Sequence, residues 1–466
     1  MSKNSLAGAA LALAAAMPHA AFAASDHDLQ QIRNEIAQMK AGYEARIQAL
    51  EQRLQQAEAK TAVVAQQQAQ VASAAPVAVA SAAPAATANA FNPAVSLILG
   101  GTYANLSQDP ANYRLQGFIP GDDIGPGKRG FNLGESELTL HANIDPHFSG
   151  ALTFSLDADN KASVEEAFFE GKGFASGVNV KAGRFLSSVG YLNSQHAHAW
   201  DFVDAPLAYQ AFLGGQYKPD GLQVKWLAPT DRFIEIGAEI GRGAAFPGNE
   251  RNKNGSGAGA VFAHIGDDIG ASHSWRAGLS YLSTVAADRG YDDVNSTGAA
   301  VNNAFSGSSK LWIADAIYKW APNGNTTQRN FKLQGEYFRR NENGTLTYDT
   351  AGAALTDAYA SAQSGWYLQG VYQFMPMWRV GLRYDRLNSG TPDIGQVNSG
   401  ALTAADFRNL AGYKPSRGSI MLDYSPSEFS RFRLQFARDR SRPDASDNQI
   451  FLQYIMSLGV HGAHSF

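Results

Sequence analysis

The spacing of apolar and polar residues changes twice along the chain. Over Asp26–Val64 the apolar positions are Leu29, Ile32, Ile36, Met39, Tyr43, Ile47, Leu50, Leu54, Ala57 and Val64. They recur three and four apart, with one extra four-residue step at Tyr43–Ile47. That seam predicts a helix burying one narrow stripe against other helices, a coiled coil with a stutter. Residues 65–90 are Ala, Gln, Val, Pro and Ser without a period, and they read as a linker. From Phe91 onward the period is two. In Ile450–Val460 the even positions Ile450, Leu452, Tyr454, Met456, Leu458 and Val460 are apolar, while the odd ones include Gln453, Ser457 and Gly459. The same alternation runs through Trp366–Tyr372, Trp378–Tyr384 and Phe432–Phe436. Each predicts a strand with one apolar, aromatic-tipped face and one polar face.

Sixteen such strands are expected near 93–104, 134–144, 148–158, 163–171, 176–186, 221–229, 232–243, 257–268, 272–284, 310–321, 331–341, 365–375, 378–388, 417–427, 430–440 and 448–460. Short connections such as "DPHF", "APTD" and "MPMW" alternate with mostly long ones at 105–133, 187–220, 285–309, 342–363 and 389–416. Even strand number, alternating loop length and an aromatic outer face are the pattern of an outer-membrane barrel. The fold class expected is therefore an all-β transmembrane barrel of 16 antiparallel strands at 91–466, preceded by a coiled coil at 24–64 and the linker at 65–90.

Residues 1–23 sharpen this. Lys3, the apolar run Leu6–Met17 and the small-x-small site Ala21-Phe22-Ala23 make a secretory signal peptide. No later run approaches the ~18 apolar residues of a membrane helix, so only a closed barrel would span a bilayer. The chain has no cysteine, which excludes thiol catalysis and cysteine metal sites. Its net charge of −4 gives no footprint for nucleic acid. No cofactor motif is present. "GDDIGPGKRG" lacks the spacing of a phosphate loop, and "DADNKASVEE" has Lys161 where a calcium loop needs a ligand. No catalytic constellation emerges, so no enzyme is expected.

Candidate chemistry concentrates in "QHAHAWDFVDAP", Gln195–Pro206, with His196, His198, Asp201 and Asp204. Strand parity puts Lys181, Lys225, Arg276, Lys319, Lys332, Arg379, Arg383, Arg431 and Arg433 on the polar inner face. It puts Glu137, Glu235, Glu239, Asp315, Glu336, Asp385 and Asp423 there as well. Arg379, Arg383, Arg431 and Arg433 form a basic wall on strands 13 and 15, with strand 14 expected to add only Asp423. Arg184 falls on the outer parity, which requires either a bulge or a snorkelling side chain.

Signal, coiled coil, sixteen strands and a terminal Phe466 together resemble the trimeric porins of Gram-negative bacteria. The stretch "KAGRFLSSVGYLN", Lys181–Asn193, followed by "DFVDAPLAYQ", is similar to the porin family that includes the phosphate-selective porins. It is also similar to outer-membrane proteins labelled zinc-regulated. The resemblance implies a homotrimer in the outer membrane and Phe466 as a signal for the barrel-assembly machinery. It further implies a third outer loop, 187–220, folded inward as the constriction, with His196, His198, Asp201 and Asp204 facing the basic wall across water. Three readings of those four residues stand open: an acidic, pH-sensitive constriction, a loop anchored by its aromatic residues, and a divalent-metal site at His196 and His198. The functions expected are a passive pore for small hydrophilic or charged solutes, a metal-uptake channel, or a tether from the outer membrane toward peptidoglycan. The coiled coil's ~39 helical residues would span about 60 Å of periplasm.

Overall fold

The computed structural model describes residues 93–459, apart from 122–123, 160, 175–176 and 249–253. The signal peptide, coiled coil, linker and Phe466 lie outside the described residues. Sixteen antiparallel strands form the sheet: β1 (Ala94–Leu106), β2 (Ser136–Asn143), β3 (Phe148–Leu156), β4 (Ala162–Phe174), β5 (Val178–Arg184), β6 (Asp220–Leu227), β7 (Phe233–Gly241) and β8 (Ala258–Ile269) make one half. The other half is β9 (His273–Val294), β10 (Ala300–Trp320), β11 (Asn330–Tyr348), β12 (Leu355–Met375), β13 (Trp378–Asn388), β14 (Ser416–Ser427), β15 (Ser430–Arg442) and β16 (Ala445–Gly459). Each pairs with the next, and β1 pairs with β16 from Ser96↔Gly459 to Leu106↔Gln449, closing the barrel. Closure leaves no row of unpaired backbone groups, which is what an apolar surround demands. Two short strands, Gly130–Leu133 and Asp393–Ile394, extend the pairing beside β1 and β12.

Side chains alternate as the sequence period requires. Leu434 is 46% exposed on the outer face while its neighbour Gln435 is fully buried inside. Trp378–Tyr424 and Phe432–Tyr454 sit opposite one another on paired strands, with ring centroids 4.7 and 4.6 Å apart. These pairs lie beside the short turns, where an aromatic girdle belongs.

Two of the expected long loops are mostly strand. Residues 285–309 and 342–363 are occupied by the ends of β9, β10, β11 and β12, leaving only 295–299 and 349–354 as connections. At about 3.3 Å per residue these strands of 19 to 22 residues run well past an apolar band of about 25 Å. Beyond that band no apolar face is needed, so the sequence carries no hydrophobic alternation to announce them. Arg184 lies beside a bulge, for the β3–β4 register slips between Val164 and Glu166 and Arg184 Nη1 donates to the Val164 carbonyl at 3.1 Å. It pairs with Asp220, its register partner on β6, through Nε–Oδ1 at 2.6 Å and Nη2–Oδ2 at 3.1 Å.

The barrel is not hollow. Leu115 and Phe118 from the first loop join Leu207, Ala208, Tyr209, Phe212 and Leu213 in an apolar cluster with Leu282, Leu311, Ile313 and Phe338 of β9, β10 and β11. A second cluster at the loop end gathers Ile119, Phe305, Leu346, Tyr359, Phe407 and Leu410.

Candidate functional site

Residues 185–219, between β5 and β6, make the centre of the molecule. The segment starts where Phe185 is fully buried. Gly190 has φ +71, and a Cβ there would lie 2.4 Å from Glu336 Oε2, so the close approach requires glycine. The adjacent Tyr191 and Leu192 N–H groups donate to Glu336 at 3.1 and 3.0 Å. The hydroxyls of Tyr209 and Tyr367 donate to the same carboxylate. Helix α1 (Leu207–Leu213) follows Pro206 and ends at Gly214 in the left-handed region. The Leu207 N–H donates to Asp385 Oδ1 at 2.9 Å, and every residue of α1 is buried. The segment touches β2, β7, β9, β11, β13, β14 and β15, which lie all round the sheet. Only a segment inside the closed barrel meets them all.

Its two sides carry opposite charge, each matched by the wall. On the carboxylate side, Asp201 pairs with Lys332 at 2.5 Å and Arg379 at 3.3 Å. Asp204 pairs with Arg383 at 2.7 Å and Arg417 at 2.6 Å. Arg433 donates to the Trp200 carbonyl at 3.0 Å and Arg431 to that of His198 at 2.5 Å. Asp423 bridges Arg379 and Arg433 from behind. Burial alone would raise the pKa of both loop carboxyls. The cations outweigh it, holding Asp201 below its usual value and Asp204 at about 2. All four arginines of the expected basic wall thus grip the segment directly. The expected field across a water gap is replaced by contact ion pairs.

On the imidazole side, His198 Nδ1 lies 2.7 Å from Glu137 Oε1. His196 Nδ1 lies 3.2 Å from both Glu137 and Glu165, and its Nε2 lies 3.1 Å from Glu166. The two rings are stacked, 5.5 Å apart and 22° from parallel. Burial works to lower the His196 pKa, but the three carboxylates prevail and raise it well above 6.5. Glu165 and Glu166 are neighbours on one strand, where strict alternation would send one of them outward. The β3–β4 register slips here, Thr153 opposing Glu166 and Phe154 opposing Val164. This bulge lets both glutamates face inward, and both are buried.

Of the other expected inner acids, Glu239 accepts from Ser187 Oγ at 2.6 Å and the Ser188 N–H at 2.9 Å. Glu235 stays on the wall with His264 and Lys225, away from the segment. The sequence reading missed Arg417, Glu165, Glu166 and Lys218. Arg417 shares Asp423's parity and was legible on that ground. The glutamates required the bulge. Beneath the segment, at the short-turn end, a cavity of about 850 Å³ is lined by His196, His198, Asp201, Lys332, Arg379 and Arg431 together with turn residues such as Gln328 and Met377.

No protein-family model matches the chain. A solved loop-deletion form of OmpT, an outer membrane protein of Vibrio cholerae, shares the fold with a TM-score of 0.50 at 12% identity, over 79% of this chain and all of that one. The outer membrane channel DcaP of Acinetobacter baumannii aligns at 13% identity over 78% of this chain and 97% of its own, with a TM-score of 0.44. An uncharacterized protein of Aquifex aeolicus (strain VF5) is 30% identical over 406 residues, covering 81% of this chain and 80% of the relative. On that identity and coverage, the chain belongs to the same family as the Aquifex aeolicus protein.

Proposed function

We propose that the protein is an outer-membrane channel through which small hydrophilic or charged solutes diffuse passively, with 187–220 as its constriction. The observation that carries this reading is the inner segment itself, held across a closed barrel by ion pairs rather than sealed into the wall by apolar contact alone. Its charged flank faces the 850 Å³ cavity, where Lys332, Arg379 and Arg431 outnumber Asp201 and Glu428 as fixed charges. Such a rim favours hydrated, polar solutes over apolar ones. The short-turn end is assigned to the periplasm, as in bacterial barrels generally. The heptad seam of 24–64 supports a trimer. Light scattering of the detergent-solubilised protein with and without residues 25–90 checks this, and a monomer in both would refute it.

The channel is tested by planar-bilayer conductance. Replacing Asp201 and Asp204 together by Asn leaves Lys332, Arg379, Arg383 and Arg417 without the loop carboxylates they pair with. The double variant should pass more current and shift toward anions. A wild type that never conducts, or a variant with unchanged selectivity, would remove the constriction reading.

A further inference from the structure

We infer that Glu137, Glu165, His196 and His198 form a binding site for one divalent transition-metal ion, reached from the cavity at the short-turn end. The donors already converge. One ligating atom each from Glu137, His196 and His198 lies within 4.8 Å of the others. His196 Nδ1 is 3.2 Å from an oxygen of Glu137 and from one of Glu165. Ligands around a tetrahedral zinc, each about 2.0–2.2 Å from the metal, lie roughly 3.4 Å from one another. Drawing these atoms onto an ion takes side-chain adjustment without a change of fold.

Charge points the same way. Glu135, Glu137, Glu165 and Glu166 bring four carboxylates together. The fixed cations near them are Lys218, 3.6 Å from Glu165, and Lys181, acting on Glu166 at longer range. Carboxylates thus outnumber lysines here, and the remaining negative charge falls to the His196 ring and to any cation bound beside it. Glu165 gives a second, independent sign. Its side chain is fully buried, and its Oε1 accepts no hydrogen bond, the Lys218 ammonium standing 3.6 Å away and beyond hydrogen-bond reach. A buried carboxylate oxygen held at that distance from its cation keeps a lone pair unused for a closer one.

The donor set selects the class of ion. Imidazole with carboxylate suits Zn²⁺, Co²⁺, Ni²⁺ or Cu²⁺, whereas Mg²⁺ and Ca²⁺ prefer oxygen alone. Access exists too: His196 and His198 both lie on the cavity wall. The bulge in β4 is what builds the site, because it aims Glu165 inward beside Glu166. The inference depends on the channel reading only for the side from which the ion arrives.

Equilibrium dialysis of the chelator-stripped full chain in detergent, with Zn²⁺ alone as ligand, tests it. The wild type should bind one saturable equivalent. H196A/H198A should weaken binding by about tenfold or more. Glu165→Gln keeps the side chain's size and should weaken it likewise, which guards against a double variant that merely unfolds the segment. Co²⁺ in the wild type should give visible d–d bands that both variants lose. No saturable equivalent, or binding unchanged in both variants, overturns the site and leaves the imidazoles as charge partners only. Dialysis needs no current, so intact Zn²⁺ binding with a silent bilayer would sink the channel reading and keep the site.

Discussion

Arg417 shows what one side chain contributes here. It exposes about 1% of its side chain, sits 2.6 Å from Asp204, donates to the Ala205 carbonyl, and lies 3.7 and 3.8 Å from Asp385 and Asp439. Removing it strands buried carboxylates, a change that costs about 3–5 kcal/mol. Arg417→Ala should therefore lower the denaturation midpoint and open 187–220 to protease. Breaking the exposed Arg232–Asp267 pair should change stability by only about 0–1 kcal/mol. Acid offers a second measure of the same contact. The folded pKa of Asp204, about 2, lies below its ordinary value of about 3.9. Its stabilisation is thus complete above that ordinary value and is lost as pH falls through about 2. Hydrogen exchange of the segment should stay protected at pH 5 and rise only near pH 2; loss of protection at pH 5 would break the assignment. Parity put Arg379, Arg383, Arg431 and Arg433 on the inner face, where each meets the inner segment. It said nothing of what they hold, because ion pairs over such sequence distances leave no local pattern.

Strands were legible where their two faces differ, apolar outward and polar inward. Leu434 and Gln435 are adjacent, one outside and one inside. Leu434→Arg should cost about 2–4 kcal/mol in equilibrium unfolding from bilayers, and Gln435→Arg clearly less, if β15 crosses at this depth. Equal costs would mean a wrong register. Where the outer face is no longer apolar the signal fades. "VAADRGYDDV", Val285–Val294, is strand without hydrophobic alternation, and a loop was the natural reading. The bulge at Glu165–Glu166 hid in the same way. One extra residue leaves no compositional mark, yet it decides that the imidazole side meets three glutamates rather than two.

Taken together, the described residues form a barrel braced from within by one segment whose two flanks meet walls of complementary charge. The bilayer and dialysis experiments separate its capacity to conduct from its capacity to bind. The brace also has a history in time. Asp201 meets Arg379 across 178 residues of chain, Ala205 meets Arg417 across 212, and Trp200 meets Arg433 across 233. Contacts so distant in sequence bear a large loop-closure entropy and form late. Until β13, β14 and β15 have joined the sheet, Asp201 has only Lys332 to meet and Asp204 has none of its arginines, and a carboxylate cannot settle unpaired in a dry interior. The segment therefore comes to rest only as the barrel closes, and a chain halted before its last four strands would carry its own centrepiece loose in water.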